Sequence, residues 1–252
     1  MPVFEIVGHR GAPGHAPENT IPAFEQAIKL GADAVEFDVR LTADKVPTIF
    51  HFTYLEEITT SQGLIAHHTY EQIKELTFLD QERQPMGVFH LPTLEDVLEA
   101  VGNRIGLEIE LKGPEPEAPV LVAQILNRYR HLWKWIEVTS YEPAILLAIH
   151  EHCPGLATDL LYPRSQPWMK LDVIAYEAAQ RAHLAKARGV HLHPSQLTQA
   201  VVDQVTAEGV VIHAWQVEDL ETARRVIDLG ITRFSTETIS LLVDFRQSLG
   251  NS

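Results

Sequence analysis

The sequence lacks most features of secreted and membrane-spanning proteins. Of its 252 residues only Cys153 is a cysteine, so no disulfide can form within the chain, and a reducing, cytoplasmic location is expected. No apolar segment is long enough to cross a bilayer. Met1-Pro2 leads directly into a strand pattern without a basic signal-peptide region, so we expect an unprocessed chain without stable membrane association.

Positive charge is also scarce. The 20 Lys and Arg residues face 34 Asp and Glu residues, which gives a formal net charge of −14. A protein with this average field repels polyanions, so no nucleic-acid partner is expected. A small anionic substrate remains compatible with this charge if a metal ion or local cations reverse the sign inside one cleft. The oligomeric state is not indicated by the sequence.

No linker or low-complexity segment divides the chain, so we expect a single domain over residues 1–252. Short apolar runs alternate about eight times with amphipathic runs, which predicts the α/β class and a (β/α)8 TIM barrel. A doubly wound open sheet is the alternative, but Gly8-His9-Arg10-Gly11 lacks the spacing of its Gly-rich phosphate loop. The predicted strands are Val3–Gly8, Ala34–Val39, Ile105–Leu111, Ile136–Thr139, Leu156–Leu161, Val190–His193, Val210–Trp215 and Ile231–Ser235.

The predicted helices end at glycines that can adopt a left-handed conformation, namely Gly31, Gly189, Gly209 and Gly230. One region breaks the alternation, and we interpret residues 45–92 as a small insertion after the second strand. Within and beside it, Val46–Phe52 reads as an extra strand that forms a hairpin with the end of the second barrel strand. Tyr70–Leu76 and Thr93–Ala100 read as helices.

Carboxylates alternate with apolar residues along two predicted strands. Glu36 and Asp38 share one face of the second strand, and Glu108, Glu110 and Lys112 share one face of the third. If the apolar face packs on helices, the carboxylates point toward the barrel axis. Burying them together is costly unless a cation lies between them. Oxygen ligands of this kind favour one divalent cation, Mg²⁺ or Ca²⁺, over zinc.

Two of the 13 histidines follow strands beside these carboxylates. His9 and His51 could share the proton transfers at a metal-bound phosphate. Most of the others occupy loop or helix-surface patterns and are interpreted as surface residues, among them His67, His68, His131, His150, His152 and His183.

A series of short motifs resembles the signature of the glycerophosphodiester phosphodiesterase family. It comprises His9-Arg10-Gly11, Pro17-Glu18-Asn19-Thr20, Ala23-Phe24, Gly31-Ala32-Asp33, Glu36-x-Asp38-Val39, His51, 92–98, Glu110-Leu111-Lys112 and Trp215. The resemblance implies hydrolysis of small glycerophosphodiesters to sn-glycerol 3-phosphate and an alcohol such as choline or ethanolamine. It also implies metal ligands at Glu36, Asp38 and Glu110, an acid–base pair at His9 and His51, and substrate contacts at Arg10, Lys112 and Trp215. Glu18 and Asn19 are expected to brace the first loop, and Ser140 and His193 to line the pocket.

The sequence departs from the family pattern at three places. Phe52 replaces the aspartate that usually follows the second histidine, Trp215-Gln216-Val217-Glu218 replaces Trp-Thr-Val-Asn, and 42–45 lacks the hairpin glycine. These changes affect the second loop and the preference for the leaving alcohol. They leave the implied ligands and histidines in place.

In the expected mechanism one histidine acts as base and the other as the acid that protonates the departing alcohol. His9 is assigned as the base and His51 as the acid, although the sequence does not distinguish this assignment from the reverse. Either water or the neighbouring glycerol hydroxyl could attack, the latter through a cyclic phosphate, and the sequence does not distinguish these routes. Two other functions remain open. One is cleavage of a lysophospholipid or another phospholipid at the same site, as in a lysophospholipase D. The other is a barrel that binds phosphodiesters without cleaving them.

Overall fold

Eight parallel strands close into a barrel in the computed structural model, which describes residues 4–250. The described strands are β1 (Glu5–Gly8), β2 (Ala34–Leu41), β3 (Pro47–Ile49), β4 (Glu75–Leu79), β5 (Pro85–His90), β6 (Gly106–Leu111), β7 (Ile136–Ser140), β8 (Ala157–Leu161), β9 (Gly189–Leu192), β10 (Val211–Ala214) and β11 (Arg233–Thr236). The barrel order is β1-β2-β6-β7-β8-β9-β10-β11, and pairing of β1 with both β2 and β11 closes it. The predicted TIM barrel is confirmed; Val3, the first residue of the predicted first strand, lies outside the described residues.

Helices follow the barrel strands and cover their outer face. They are α1 (Ile21–Leu30), α2 (Tyr70–Ile73), α3 (Leu94–Val101), α4 (Ala118–Arg128), α5 (Pro143–His152), α6 (Leu171–Ala185), α7 (Gln199–Ala207), α8 (Leu220–Asp228) and α9 (Ile239–Gly250). Among residues 4–250, none of these helices combines the length and apolar character that crossing a membrane requires.

The alternation along β2 explains how the barrel orients its polar groups. Val35, Phe37 and Val39 are fully buried in the main hydrophobic core, which lies between the strands and the helices. Their neighbours Glu36 and Asp38 therefore project into the barrel interior. The parallel register pairs Asp38 of β2 with Glu110 of β6, which brings the acidic residues of the two strands together.

Three of the four predicted helix-ending glycines have the expected left-handed backbone. Gly31, Gly209 and Gly230 have φ values of 91°, 77° and 81°. The prediction for Gly189 is wrong, because α6 ends at Ala185 and Lys186 caps it with a φ of 52°. Gly189 instead begins β9, where an added Cβ would lie 2.9 Å from the Val211 carbonyl oxygen.

The insertion between β2 and α3 contains more strand than the sequence predicted. β3 forms the expected antiparallel pair with β2. The predicted helix 70–76 is wrong beyond Ile73, because 75–79 forms β4, which pairs with β5 in a second hairpin. Strand pairing buries Leu76 and Phe78, and these residues join a separate small core with Phe50, Leu55, Ile65, Ile73 and Leu91. The insertion is thus held by its own apolar cluster beside the C-terminal end of β2.

Candidate active site

Three carboxylates converge inside the barrel near the C-terminal ends of β2 and β6. Glu36, Asp38 and Glu110 each offer an oxygen, and these oxygens lie within 4.8 Å of one another. Their residues are only 5%, 1% and 8% exposed. Active sites of TIM barrels lie at this end of the strands. The three residues predicted as metal ligands therefore lie together at a position suited to chemistry.

The charge balance of this group favours a bound cation. Burial raises the pKa of Glu36 well above its usual value, and the negative charges of Asp38 and Glu110 raise it further. Burial and, to a smaller extent, the negative charge of Asp38 raise the pKa of Glu110 to about 7. The three oxygens thus repel one another in a site that excludes water. A hard divalent ion fits this all-oxygen donor set and would keep the carboxylates ionised.

Asp38 is the most strongly held of the three carboxylates. The Asn19 side chain donates a hydrogen bond of 2.8 Å to Asp38 Oδ2, and the Asn19 amide oxygen accepts one of 3.2 Å from the Asp38 backbone N–H. Although burial opposes ionisation, Lys112, His51 and Arg10 hold the pKa of Asp38 below its usual range. The bracing role expected for Asn19 therefore acts on a candidate metal ligand.

Two cations border the carboxylates. Lys112 Nζ lies 2.9 Å from Asp38 Oδ1 and 2.6 Å from Glu110 Oε1. The Arg10 guanidinium lies 3.0 Å from Glu18 and 3.6 Å from Asp38. The Arg10 backbone N–H donates to Glu36 from a left-handed conformation with a φ of 52°, a strained geometry of the kind that concentrates at functional sites. Positive charge in this acidic protein is therefore concentrated where an anion would bind.

His9 follows β1 and lies between two carboxylates. Its Nε2 is 3.9 Å from Glu36 Oε2, and its Nδ1 is 3.1 Å from Glu237 Oε1. The hydrogen bond with His9 lowers the pKa of Glu237. The Glu237 backbone N–H donates a hydrogen bond of 3.0 Å to Glu218 Oε2, and this bond fixes the loop after β11. Glu237 was not predicted from the sequence, because it lies 228 residues from His9 and no local motif links the two residues.

His51 follows β3 and lies in a different electrostatic environment. The Arg40 side chain donates to the His51 carbonyl oxygen at 2.8 Å and thereby fixes the loop. The Nδ1 atom of the His51 ring is buried and has no hydrogen-bond partner among the described residues. Burial lowers the pKa of His51 to about 3. The positive charges of Arg10 and Lys112 also lower this pKa, whereas the negative charge of Asp38 raises it. The His51 ring is therefore neutral.

Aromatic residues line the wall around these groups. The ring of Phe52 packs edge-on against His51 at 4.5 Å between centroids, and the Arg10 guanidinium lies 5.9 Å from its centre. Trp215 contacts the ring of His193 at 5.1 Å, and its buried Nε1 has no hydrogen-bond partner among the described residues. Trp215 directly follows β10, so this indole N–H with unused hydrogen-bonding capacity lies at the C-terminal end of the barrel.

A small cavity adjoins the carboxylates on the side of β7. It has a volume of about 330 Å³, and Glu110, Lys112, Ser140 and Tyr141 contribute to its lining. The Ser140 hydroxyl donates to the Leu111 carbonyl oxygen at 2.8 Å, so the residue also fixes the adjoining backbone. Glu108 behaves differently from Glu110. It lies 3.3 Å from His191, outside the three-carboxylate group, although the two glutamates share one face of β6.

Comparison with known proteins gives one consistent family. The sequence model of the Glycerophosphoryl diester phosphodiesterase family matches residues 9–240. The chain is 28% identical over 251 residues to a glycerophosphodiester phosphodiesterase of Bacillus altitudinis, covering 97% of this chain and 99% of that protein. It is 27% identical to a glycerophosphodiester phosphodiesterase of Caldanaerobacter subterraneus subsp. tengcongensis, covering 95% and 96%.

One similar solved structure contains a bound product. The fold resembles an Oleispira antarctica phosphodiesterase in complex with the product sn-glycerol-3-phosphate, with a TM-score of 0.80 and 25% sequence identity. The match covers 98% of this chain and 97% of that one. The family match over residues 9–240 includes all three candidate ligands, both histidines and Trp215.

Proposed function

Since the chain belongs to the glycerophosphoryl diester phosphodiesterase family, we propose that it hydrolyses glycerophosphodiesters to sn-glycerol 3-phosphate and an alcohol. The observation that carries this proposal is the convergence of Glu36, Asp38 and Glu110 within 4.8 Å beside two cations and two histidines. The product named for the Oleispira protein supports the same class of substrate. We also propose that residues 1–252 act as a single barrel domain.

The proposed cofactor is one Mg²⁺ or Ca²⁺ ion held by Glu36, Asp38 and Glu110. Such an ion supplies charge stabilisation to the non-bridging phosphate oxygens. The all-carboxylate donor set supports a hard ion over a transition metal. Asn19 and the Arg10 backbone N–H orient two of the ligands, which is the role that outer partners play in metal sites.

Arg10 and Lys112 are proposed to contact the phosphodiester. Both groups lie beside Asp38, so each borders the place where an anion would meet the carboxylate group. Arg10 presents a planar set of donors that matches phosphate oxygens, whereas Lys112 acts as a point charge. Preorganised cations of this kind stabilise negative charge that increases during phosphoryl transfer.

The environments of the two histidines support the reverse of the roles expected from the sequence. Burial keeps His51 neutral, and its Nδ1 has no hydrogen-bond partner among the described residues, which suits a base. Glu237 lies 3.1 Å from His9 Nδ1 and orients the His9 ring, which suits the acid that protonates the departing alcohol. His51 would then accept the proton of the attacking water or glycerol hydroxyl. Detection or absence of a cyclic phosphate intermediate distinguishes those two nucleophiles.

Trp215 is proposed to pack against the glycerol moiety. Its unpaired Nε1 can donate to a glycerol hydroxyl while the ring covers the carbon chain. Phe52 provides an apolar surface beside His51, in the place where the family usually has an aspartate. We propose that this surface favours a departing alcohol without a hydrogen-bond requirement next to the phosphate. A cytoplasmic location is proposed from the single buried cysteine.

The test is release of sn-glycerol 3-phosphate from glycerophosphocholine and glycerophosphoethanolamine, and release of choline from lysophosphatidylcholine, with Mg²⁺, with Ca²⁺ and with a chelator. We expect release from the two water-soluble diesters, loss of activity with the chelator, and loss in Glu36→Gln. Glu151→Gln removes the same charge from an exposed position on α5 and should stay active. Cleavage of the lysophospholipid alone would contradict the proposed substrate. Binding without cleavage would contradict hydrolysis itself.

A further inference from the structure

A second group of buried ionisable side chains lies in the barrel, on four consecutive strands. Glu137 of β7, Asp159 of β8, His191 of β9 and His213 of β10 are 5%, 0%, 2% and 8% exposed. They can offer four ligand atoms within 4.8 Å of one another. None of them belongs to the three-carboxylate site, and the proposed reaction does not use them.

The distances within this group match a four-coordinate metal site. His191 Nε2 lies 3.2 Å from Glu137 Oε1 and 3.5 Å from Asp159 Oδ2. His213 Nδ1 lies 3.2 Å from both Asp159 Oδ2 and His191 Nε2, and 3.9 Å from Glu137 Oε1. A tetrahedron with zinc bonds of about 2.0–2.2 Å has edges of roughly 3.3–3.6 Å. Four of the five distances lie within about 0.1 Å of this range.

Hydrogen bonds alone account poorly for these contacts. The two carboxylate oxygens carry no protons when ionised, and each ring nitrogen carries at most one. If both nitrogens were protonated, their hydrogens would face each other between His191 Nε2 and His213 Nδ1, which are 3.2 Å apart. If only one were protonated, its single hydrogen would lie among Glu137 Oε1, Asp159 Oδ2 and the other ring nitrogen, of which only Asp159 Oδ2 has a further donor among the described residues, Arg188 at 2.9 Å. One cation in the centre interacts favourably with all four atoms.

The surroundings of His191 provide an independent indication. Its other ring nitrogen, Nδ1, lies 3.3 Å from Glu108 Oε1. A histidine that ligates a metal usually donates its second N–H to a carboxylate, which leaves the first nitrogen free to bind the ion. Glu108 therefore favours the tautomer that is protonated at Nδ1, which leaves Nε2 free to bind an ion in the group. This accounts for the orientation of Glu108 away from Glu110.

A divalent cation would replace a proton in this group. Arg188 contacts Glu137 and Asp159, and Arg233 lies 3.5 Å from Glu108. Without a metal the third positive charge is that of His191, because, against the effect of burial, its carboxylate neighbours raise its pKa to about 10. A bound ion would displace the Nε2 proton and supply the positive charge in its place. Glu137, Arg188 and Arg233 also line a cavity of about 720 Å³, together with the first residues of several barrel strands. This cavity opens at the N-terminal face of the barrel and provides an entry path for an ion.

We propose that Glu137, Asp159, His191 and His213 form a second metal site, specific for a tetrahedral divalent transition metal such as Zn²⁺. Mixed imidazole and carboxylate ligands favour zinc over the hard cation proposed for the active site. The site would link β7, β8, β9 and β10 at the end of the barrel opposite to the catalytic groups. Its role is therefore structural, and it does not depend on the proposed phosphodiesterase activity.

The test uses Co²⁺ as a spectroscopic probe in protein freed of metal. To exclude binding at the active site, the titration is made in the Glu36→Gln, Asp38→Asn double variant. We expect one equivalent of Co²⁺ to give the intense visible absorption of a four-coordinate ion. We also expect a hundredfold excess of Zn²⁺ over its Kd to raise Tm by roughly 5–10 °C.

Adding His213→Gln to this double variant should abolish the absorption and the rise in Tm. Adding His183→Gln instead, at an exposed histidine of α6, should preserve both. In an otherwise native chain, His213→Gln should keep its Mg²⁺-dependent activity, which separates this proposal from the proposed function. Weak six-coordinate absorption, or intense absorption that persists without His213, overturns the proposal.

If His213→Gln does not fold, anomalous diffraction at the zinc edge from wild-type crystals decides. A map without a peak between the four side chains refutes the site.

Discussion

The hydrogen bond between Glu237 and His9 provides a quantitative test of the proposed acid. Glu237→Gln keeps the size of the side chain and removes the charge that lies 3.1 Å from His9 Nδ1. A hydrogen bond to a charged group contributes about 1.5–3 kcal/mol when buried. The Glu237 side chain is 51% exposed, so solvent screening reduces this to about 1–1.5 kcal/mol, or roughly a tenfold change in rate.

The assay is steady-state hydrolysis of glycerophosphocholine with saturating Mg²⁺ between pH 6 and 10. We expect kcat to fall about tenfold in Glu237→Gln with little change in KM, because Glu237 acts through His9 and not on the substrate. The wild-type carboxylate stays ionised at all these pH values, since His9 lowers the pKa of Glu237. Because the carboxylate is ionised throughout this range, its loss should lower kcat at every pH tested.

The control is Glu151→Gln, which removes one negative charge from α5 and should leave kcat and the pH profile unchanged. If Glu237→Gln kept the wild-type kcat, His9 could not be the acid that this carboxylate supports. A change in KM alone would contradict a role of Glu237 that acts through His9.

Three further changes test other parts of the site. Trp215→Leu should raise KM about tenfold with a smaller effect on kcat, since about 1–2 kcal/mol of contact with the glycerol moiety is lost; an unchanged KM would remove Trp215 from the substrate site. Asn19→Leu should raise the Mg²⁺ concentration for half-maximal activity by about 10–100-fold, because Asp38 loses its partner, whereas Asn127→Leu on α4 should not change it. Lys112→Met should lower kcat/KM by about a hundredfold and tighten Mg²⁺ binding, measured by calorimetry, about tenfold. Weaker Mg²⁺ binding in Lys112→Met would show that the lysine supports the metal site and does not compete with it.

The barrel was predictable because its signals are local. Period-two alternation in 34–39 and 105–111 marks strands that bury one face against helices, and the glycines at 31, 209 and 230 mark helix ends. The second hairpin of the insertion was missed because its stability comes from pairing between β4 and β5, which are joined across a turn. Pairing of this kind overrides the helical pattern that begins at Tyr70.

The site was predictable only to the extent that strand geometry determines it. Alternation on β2 and β6 places Glu36, Asp38 and Glu110 on inner faces, and the register between the strands brings them together. Glu237 and the group around His191 could not be found in this way. Glu237 meets His9 because barrel closure places β11 beside β1. The group around His191 meets through the register of four neighbouring strands, which the sequence does not specify.

The most direct measurement of the central claim is a crystal structure with Mn²⁺, as an anomalous substitute for Mg²⁺, and sn-glycerol 3-phosphate. The account predicts an anomalous peak between Glu36, Asp38 and Glu110, with the phosphate group contacting Arg10 and Lys112. Carboxylates that point apart around an empty centre, or a phosphate bound elsewhere in the barrel, would contradict it.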